Sequence, residues 1–448
     1  MNDARSASLE DWLARLEAAH PVSIDLGLER VAEVARRMGL LDGPIAGRVI
    51  TVAGTNGKGS TVAMLESLAR AHGIGTATYT SPHLLRYNER LRLDGVEAGD
   101  AELVAGFEAV EAARLDGEPI SLTYFEAGTL GALHAIRGRA PELAILEVGL
   151  GGRLDAVNVL DADVAVVTTI ARDHAAYLGD DLEVIGREKA GILRAGRPAV
   201  LGSQALPQSV AATAEALGAE VHALGTAFTR AACRRETLGR EAGEGGWTWQ
   251  GHDAAGAEAR LEALPDPGLP LDNAATALQA FALGGWALQP EACRRALAGV
   301  ELPGRMQWRG QWCLDVGHNP HAATYLAERL AERPCEGRTV ALLGMLADKD
   351  AEGVIGALAP AIDAWLPVSL AGDRARSAQA LAETLEALGQ PVWHRADSPA
   401  AGMAWLSERL SPADRVLVCG SFFTVADVLA AWAEPAQAAA EAGSEGTR

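Results

Sequence analysis

A chain of 448 residues with 49% hydrophobic and 22% charged residues is long enough for two cores and too apolar to remain disordered. Its formal net charge of −20 excludes a general nucleic-acid-binding surface, so an anionic ligand has to be met by local cations such as Lys58 and the group Arg86, Arg90 and Arg92. No run of about 18 apolar residues is available to span a membrane, and the five cysteines are scattered without a CxxC pair, as expected of reduced thiols in the cytoplasm.

The N-terminal stretch carries Leu9, Trp12, Leu13 and Leu16 at helical spacing with acidic residues inside the pattern, which reads as a helix and not as a signal peptide. A second helix is predicted over residues 28–38. Residues 48–53 form a β-branched apolar run that predicts a buried strand, and Val62, Leu65, Leu68 and Ala69 mark one face of a following helix. Between them lies GTNGKGS. Gly54, Gly57 and Gly59 let the backbone turn N–H groups towards an anion, Lys58 adds a point charge, and Ser60 opens a helix whose N-terminus is electropositive. The loop suits the β- and γ-phosphates of a nucleotide, although Val52 and Gly59 depart from the strict GxxxxGK[ST] pattern. An ordinary glycine-rich turn is the bland alternative, and strand, helix and lysine together count against it.

Residues 74–80 read as the next strand, followed by a polar, basic segment. There Ser81 and His83 flank Pro82 at a strand's C-terminal edge, where open α/β sheets place ligands. The Ser81 hydroxyl either serves as a Mg²⁺ ligand or simply forms the turn before proline. A helix over 121–136 contains Glu126, which reads as a cap or buried partner. Residues 143–146 predict a buried strand, and Glu147 at its end stands where it could hold Mg²⁺. Arg153 and Asp155 in the next loop either face a substrate or make a local ion pair. The strand over 163–170 leads to His174, the third candidate at a strand end after Ser81 and Glu147, and the convergence points to a metal site. Lys189, in a short helix, reads as solvated.

Trp247, Thr248 and Trp249 predict a hairpin within 225–264, inserted at the domain edge. LDNAATALQ predicts an Asx-capped helix beginning near Asp272. LPGRM, at 302–306, is the expected boundary, giving domains over 1–302 and 303–434. From 312 to 432 strands alternate with helices, which predicts right-handed βαβ units and a mostly parallel sheet. Its ligand edge would carry Asp315, His318, Asn319 and the loop 344–350. Residues 435–448, rich in Ala, Glu and Gly, read as a disordered tail.

The blocks IDLGLERV, GTNGKGS, SPHLLRYNER, EVGLGGRLDAVN, DHAAYLG, GREKAGI, LPGRMQ, LDVGHNPHA and GSFFTVADV, in this order, resemble the bacterial bifunctional dihydrofolate synthase/folylpolyglutamate synthases of the Mur-ligase-like superfamily. The resemblance implies an α/β fold, with a Mur-ligase-like P-loop nucleotide-binding domain followed by a smaller Rossmann-like ligase domain. It implies ATP and two Mg²⁺ ions as cofactors, and dihydropteroate, reduced folates and L-glutamate as small-molecule substrates. It also implies a cytoplasmic monomer without nucleic-acid or membrane partners.

Carried over by position, Gly54, Thr55, Asn56, Gly57, Lys58, Gly59 and Ser60 are the implied phosphate loop, and Asn273, Arg305 and Asp315 the implied nucleotide contacts, with Arg305 at a hinge. Ser60, Ser81, Glu147, His174 and a carbamylated Lys189 are the implied metal ligands. Arg86, Thr123, Phe125, Arg153 and Asp155 are implied for the pterin-bearing substrate. Lys58, Lys189 and His318 are implied in catalysis. The chain departs from the family's pattern at Phe423, where His is usual, at Arg172, where Leu or similar is usual, and at Ala175 and Ala176, where Thr and an acidic residue are usual. A folylpolyglutamate synthase alone, a Mur-type amino-acid ligase and a nucleotide-sensing module are the alternative readings.

Overall fold

The computed structural model describes residues 7–20, 25–232, 246–372 and 374–445. They fall into two units, residues 1–300 and 301–448, which divide just before the LPGRM stretch.

The first unit is built on an eight-stranded sheet. Its strands are β1 (Arg48–Ala53), β2 (Thr76–Tyr79), β3 (Leu91–Leu93), β4 (Val96–Glu97), β5 (Leu143–Glu147), β6 (Val164–Val167), β7 (Pro198–Leu201) and β8 (Glu220–Ala223). In space they run β4-β3-β2-β5-β1-β6-β7-β8, parallel from β2 to β8, with β3 and β4 antiparallel at one edge. Residues 49–53 of β1 are buried, as strands covered on both faces must be. Tyr79 pairs with Leu146, Val52 with Glu147 and Ala53 with Val167, so the C-terminal ends of β2, β5, β1 and β6 come out along one edge.

One face of this sheet is covered by Leu9, Trp12 and Leu16 of the helix Leu9–Ala18, Val31 and Val34 of Glu29–Arg37, and the helices Asp100–Leu115 and Tyr124–Arg139. The phosphate-loop helix Lys58–Ala71 buries Val62, Leu65, Leu68 and Ala69, the face expected from spacing, together with Met64. The segment Leu91–Glu97, read from sequence as merely polar and basic, folds into the β3–β4 hairpin. Asp94 and Gly95 form its turn at φ 51° and 77°, the left-handed backbone that an Asp-Gly pair provides.

The tryptophan region forms more than a hairpin. β9 (Thr229–Ala232), β10 (Trp247–His252) and β11 (Glu258–Leu264) make a three-stranded antiparallel sheet that buries Trp247 and Trp249. Cys233 lies outside the described residues. The following helix, Leu271–Leu283, lacks the expected Asx cap: Pro270 occupies the cap position without a side-chain hydrogen bond, and Asp272 instead pairs with Arg230.

The second unit has a five-stranded sheet: β12 (Gln307–Arg309), β13 (Trp312–Leu314), β14 (Thr339–Leu343), β15 (Ala364–Pro367) and β16 (Arg415–Cys419). The order is β12-β13-β16-β14-β15, parallel except for β12, an edge strand that alternation alone did not reveal. The last helix runs Phe422–Glu445, past residue 434 into the segment expected to be a tail. Alanine and glutamate are strong helix formers, and their run there sustains helix as readily as coil.

Trp365 on β15 is fully buried, whereas Leu388 is 40% exposed. Trp365→Ala is expected to cost about 3–5 kcal/mol, read as a lower urea midpoint for this unit. Leu388→Ala should stay within about 0.5 kcal/mol.

Candidate functional site

The phosphate loop leaves β1 at Gly54, whose φ is 155°, and enters the helix through Gly57 in the left-handed conformation at φ 86°. A side chain at Gly54 would sit 1.9 Å from Thr168 Oγ1, and one at Gly57 would meet the Asn273 amide at 2.8 Å. Glycine is therefore needed at both places. The loop is tied to the chain leaving β6. Thr55 N donates to Thr169 O at 2.6 Å, Thr55 Oγ1 to Ala171 O at 3.1 Å, and the hydroxyls of Thr168 and Thr169 donate to Asn56 O at 2.7 and 2.9 Å. Sequence reading missed these threonines, because in a β-branched run they look like ordinary strand residues.

Lys58 Nζ donates to Gly54 O at 3.1 Å and Thr55 O at 3.4 Å. Ser60 is buried; its hydroxyl donates to Gly57 O at 3.1 Å and accepts from Asn273 Nδ2 at 2.7 Å. Asn273, distant in sequence, thus joins the loop. Gly59 lies in the first turn of the same helix.

Lys189 corrects the sequence expectation of a solvated side chain. It is 5% exposed and donates to Gly54 O at 3.0 Å, the carbonyl that also receives Lys58. Burial, then repulsion from Lys58, pulls its pKa down to about 7, while Asp173 and Asp155 act in the opposite direction. The cause of its burial is the glycine-rich loop after β5. At Gly152 a Cβ would lie 2.8 Å from Glu188 O and 2.9 Å from Lys189 O, so the loop is pressed against the lysine's own helix.

Glu147, at the end of β5, is 6% exposed, and its Oε2 accepts from Ser81 N at 3.3 Å. The structure therefore brings Ser81 and Glu147 together. His174 stands beyond β6 at φ 54°, its N–H donating to Asp173 Oδ1 at 2.8 Å, with a side chain 39% exposed. Among the described residues no three His, Cys, Asp or Glu side chains form a metal-binding cluster. The serine hydroxyl and buried carboxylate are nevertheless hard oxygen donors of the kind Mg²⁺ takes, since that ion fills its octahedron with waters and phosphate oxygens around one or two carboxylates. The donor set fits a nucleotide-bound divalent ion better than an all-protein cage.

The substrate candidates separate. Thr123 caps the helix Tyr124–Arg139, with its Oγ1 accepting from Glu126 N at 3.2 Å and its N–H donating to Glu126 Oε2 at 2.7 Å. Glu126 also holds Arg30 at 2.9 Å, the cap and buried partner expected of it. Phe125 packs on Gly149, where a Cβ would lie 2.5 Å from its ring, and its ring is 6.4 Å from that of Tyr79. Asp155 is buried, and its carboxylate accepts from Leu150 N at 2.8 Å and Val157 N at 3.0 Å; burial raises its pKa to about 6. Arg153 pairs with Glu188 at 2.8 Å. Arg86 points to solvent, 68% exposed, and pairs with Glu97.

In the second unit, Asp315 is buried after β13, accepting from Met306 N at 2.9 Å and Gly317 N at 2.7 Å. Burial raises its pKa against the pull of Arg305, whose guanidinium lies 5.3 Å from the Phe422 ring centre. His318 Nδ1 is 2.9 Å from Val316 O, which makes Nδ1 the donor and leaves Nε2 for other partners. Asn319 caps the helix Pro320–Ala331.

Comparison with known proteins supplies the frame for these residues. Residues 52–222 match the Mur ligase middle domain and residues 304–422 the Mur ligase glutamate ligase domain. The chain is 44% identical over 427 residues to the dihydrofolate synthase/folylpolyglutamate synthase of Escherichia coli K12, covering 95% of each chain. Among solved structures it resembles E. coli FolC in complex with DHPP and ADP, at TM-score 0.87 and 43% identity over 96% of this chain and 99% of that one. It also resembles a bifunctional folylpolyglutamate synthase/dihydrofolate synthase with Mn, AMPPNP and L-glutamate bound, at TM-score 0.85 and 44% identity over 95% and 98%.

Gly57→Ala forces a side chain onto the left-handed position and into Asn273. It should weaken ADP binding by at least about tenfold, or about 1.4 kcal/mol, in calorimetric titration, with the circular dichroism spectrum unchanged. Unaltered affinity would show that the loop does not carry the nucleotide.

Proposed function

The chain belongs to the dihydrofolate synthase/folylpolyglutamate synthase family of Mur ligases, and we propose that it joins L-glutamate to dihydropteroate, and to the γ-carboxylate of reduced folates, with ATP converted to ADP and phosphate. The observation that carries the reading is the register that sets Val52, two residues before the phosphate loop, beside Glu147, and so puts loop and carboxylate on one sheet edge. The relatives with DHPP and ADP, and with Mn, AMPPNP and L-glutamate, support the same assignment.

A carboxylate is a poor electrophile, so it first takes the γ-phosphoryl group of ATP to become an acyl phosphate. The amine of glutamate then attacks the acyl carbon, and phosphate leaves with the C–O electron pair. Gly54 to Ser60 cradle the phosphates through backbone N–H groups, Lys58 places a positive charge at the transferred oxygens, and Asn273 holds Ser60 in register. Arg305 and Asp315 contact the nucleotide, and His318 assists the incoming glutamate. Thr123, Phe125, Arg153 and Asp155 line the pterin region, Asp155 by shaping the loop through its buried carboxylate.

Two Mg²⁺ ions belong to this reading, held by Ser60, Ser81, Glu147, His174 and a carbamylated Lys189. When bound they supply charge neutralisation on the phosphate oxygens. The depressed pKa of Lys189 supports the modification: a neutral amine attacks CO₂, an N–C bond forms, and one proton is released to give an anion where a cation stood. The reading also takes the enzyme as a cytoplasmic monomer, in keeping with the free thiols Cys293, Cys313, Cys335 and Cys419. No helix among the described residues is long and apolar enough to cross a membrane.

Phosphate release should require dihydropteroate, ATP, Mg²⁺ and glutamate together, and Lys58→Ala should lower kcat about 10²–10³-fold. ADP formation indifferent to glutamate would favour the nucleotide-sensing alternative, and turnover of tetrahydrofolate without dihydropteroate would favour the monofunctional one.

Because Lys189 titrates near pH 7, its neutral fraction falls as pH drops through that value. Activity should therefore decline below about pH 7, fall further when CO₂ is removed, and recover with added bicarbonate. A rate flat between pH 6 and 8 and indifferent to CO₂ would exclude a carbamate there.

A further inference from the structure

We propose that Arg90, not Arg86, receives the carboxylate of the acid substrate in the first unit; the proposal rests on the ligase reading above. Sequence grouped Arg86, Arg90 and Arg92 as one cationic cluster, and the structure gives each a different fate. Arg86 is spent on Glu97 at the surface. Arg92 lies 3.3 Å from Glu66 and donates to Gly95 O at 2.8 Å. Arg90 is only 9% exposed, yet it enters no ion pair among the described residues.

Its surroundings leave the charge uncompensated. The guanidinium carbon lies 5.1 Å from the Tyr87 ring centre and 5.5 Å from that of Tyr124, and Nε donates to His83 Nδ1 at 2.9 Å. Burial raises the phenol pKa values of Tyr87 and Tyr124, so the two rings nearest the guanidinium carry no charge near pH 7. A buried cation among neutral rings is costly unless an anion joins it. Nε is held by His83 and the Tyr79 hydroxyl also takes a guanidinium N–H, which leaves N–H donors at the terminal nitrogens for a carboxylate oxygen.

The position fits that ligand. Arg90 O accepts from Thr80 N at 2.8 Å, one residue before Ser81, whose N–H faces Glu147. Tyr124, stacked on the fork, precedes Phe125, and Tyr79 lies between Phe125 and β3. A positive fork on the sheet edge that carries Glu147 and the phosphate loop would hold an acid in place for phosphorylation. Arg86 could not do so without abandoning Glu97.

The test compares dihydropteroate with its methyl ester, binding each to the full chain by calorimetry with ADP present and Mg²⁺ absent. The wild type should prefer the acid by at least about tenfold. Arg90→Gln should lose at least about tenfold in affinity for the acid and little for the ester, with KM for dihydropteroate raised and KM for ATP unchanged; Arg90→Lys, which keeps the charge, should fall between. Equal loss of acid and ester would reduce Arg90 to a structural clamp and overturn the proposal. So would a wild type without acid preference, a result that needs no variant to fold. Wild-type protein that binds ADP but never turns over would remove the ligase reading itself, whereas turnover surviving Arg90→Gln at unchanged KM removes the role of Arg90 alone.

Discussion

One backbone carbonyl in this protein carries two ammonium groups. Lys58 and Lys189 both donate to Gly54 O, at 3.1 and 3.0 Å. Two unit charges sharing one acceptor lie within about 6 Å of each other, and at an effective dielectric of about 20 they repel by roughly 3 kcal/mol. The arrangement persists because Lys189 can give up its proton near neutral pH, and because Asp173 and Asp155 exert an opposite pull. Any anion that settles on the loop relieves the same strain. A chain of net charge −20 can thus bind a triphosphate, since the field that matters is generated within a few ångströms and not by the surface as a whole.

The shared carbonyl has little freedom to move. Gly54 is closed in by Thr168, and the segment after it is held through Thr55 and Asn56 by the backbone and hydroxyls of Thr168 and Thr169. Lys189 is held from the other side by Gly152. These contacts depend on sheet register, because β5 and β6 flank β1 and deliver their following loops to the same edge. A slip of one residue would turn Glu147 away from Ser81 and separate the threonines from Asn56. The fold's contribution to chemistry is therefore positional: ordinary residue types are fixed where their charges interact.

How much of this could be read from sequence depended on whether the deciding contact was local. The β-branched runs, the loop glycines and Glu147 at a strand end are visible in short windows, and the parallel core follows from them. The Asp94-Gly95 turn is equally local, but the charges around it obscure the alternation of its short flanking strands. Lys189 could not be read, because its own segment, GREKAGI, is charged; the loop that buries it comes from residues 149–152. Nor could Arg86 be told from Arg90. They stand four residues apart in one polar stretch, and only the turn Tyr87–Arg90 and the aromatic rings around it send one inward and one out. The Asx cap failed for a similar reason, since Arg230, on a strand 42 residues away, draws Asp272 off.

The same distinction bears on Phe423 and Arg172, where the resemblance implies other residues. Phe423 is 60% exposed, while its neighbour Thr424 is fully buried and donates to Gly344 O at 2.8 Å. Ser421, buried beside them, accepts from Phe423 N at 3.1 Å. The helix start is thus secured by backbone and hydroxyl contacts that do not involve the Phe423 side chain, and a change there alters surface and not anchorage. Arg172 is likewise exposed, and its Nε donates to Asp180 O at 3.1 Å, bracing the turn that carries His174. An apolar residue could not make that bond. This local polar strut leaves the threonine contacts to the phosphate loop, three and four residues before Arg172 in β6's extension, where they are. Phe423 and Arg172 are exposed, each in its own unit, whereas Thr168 and Thr169 are turned onto Gly54 and Asn56.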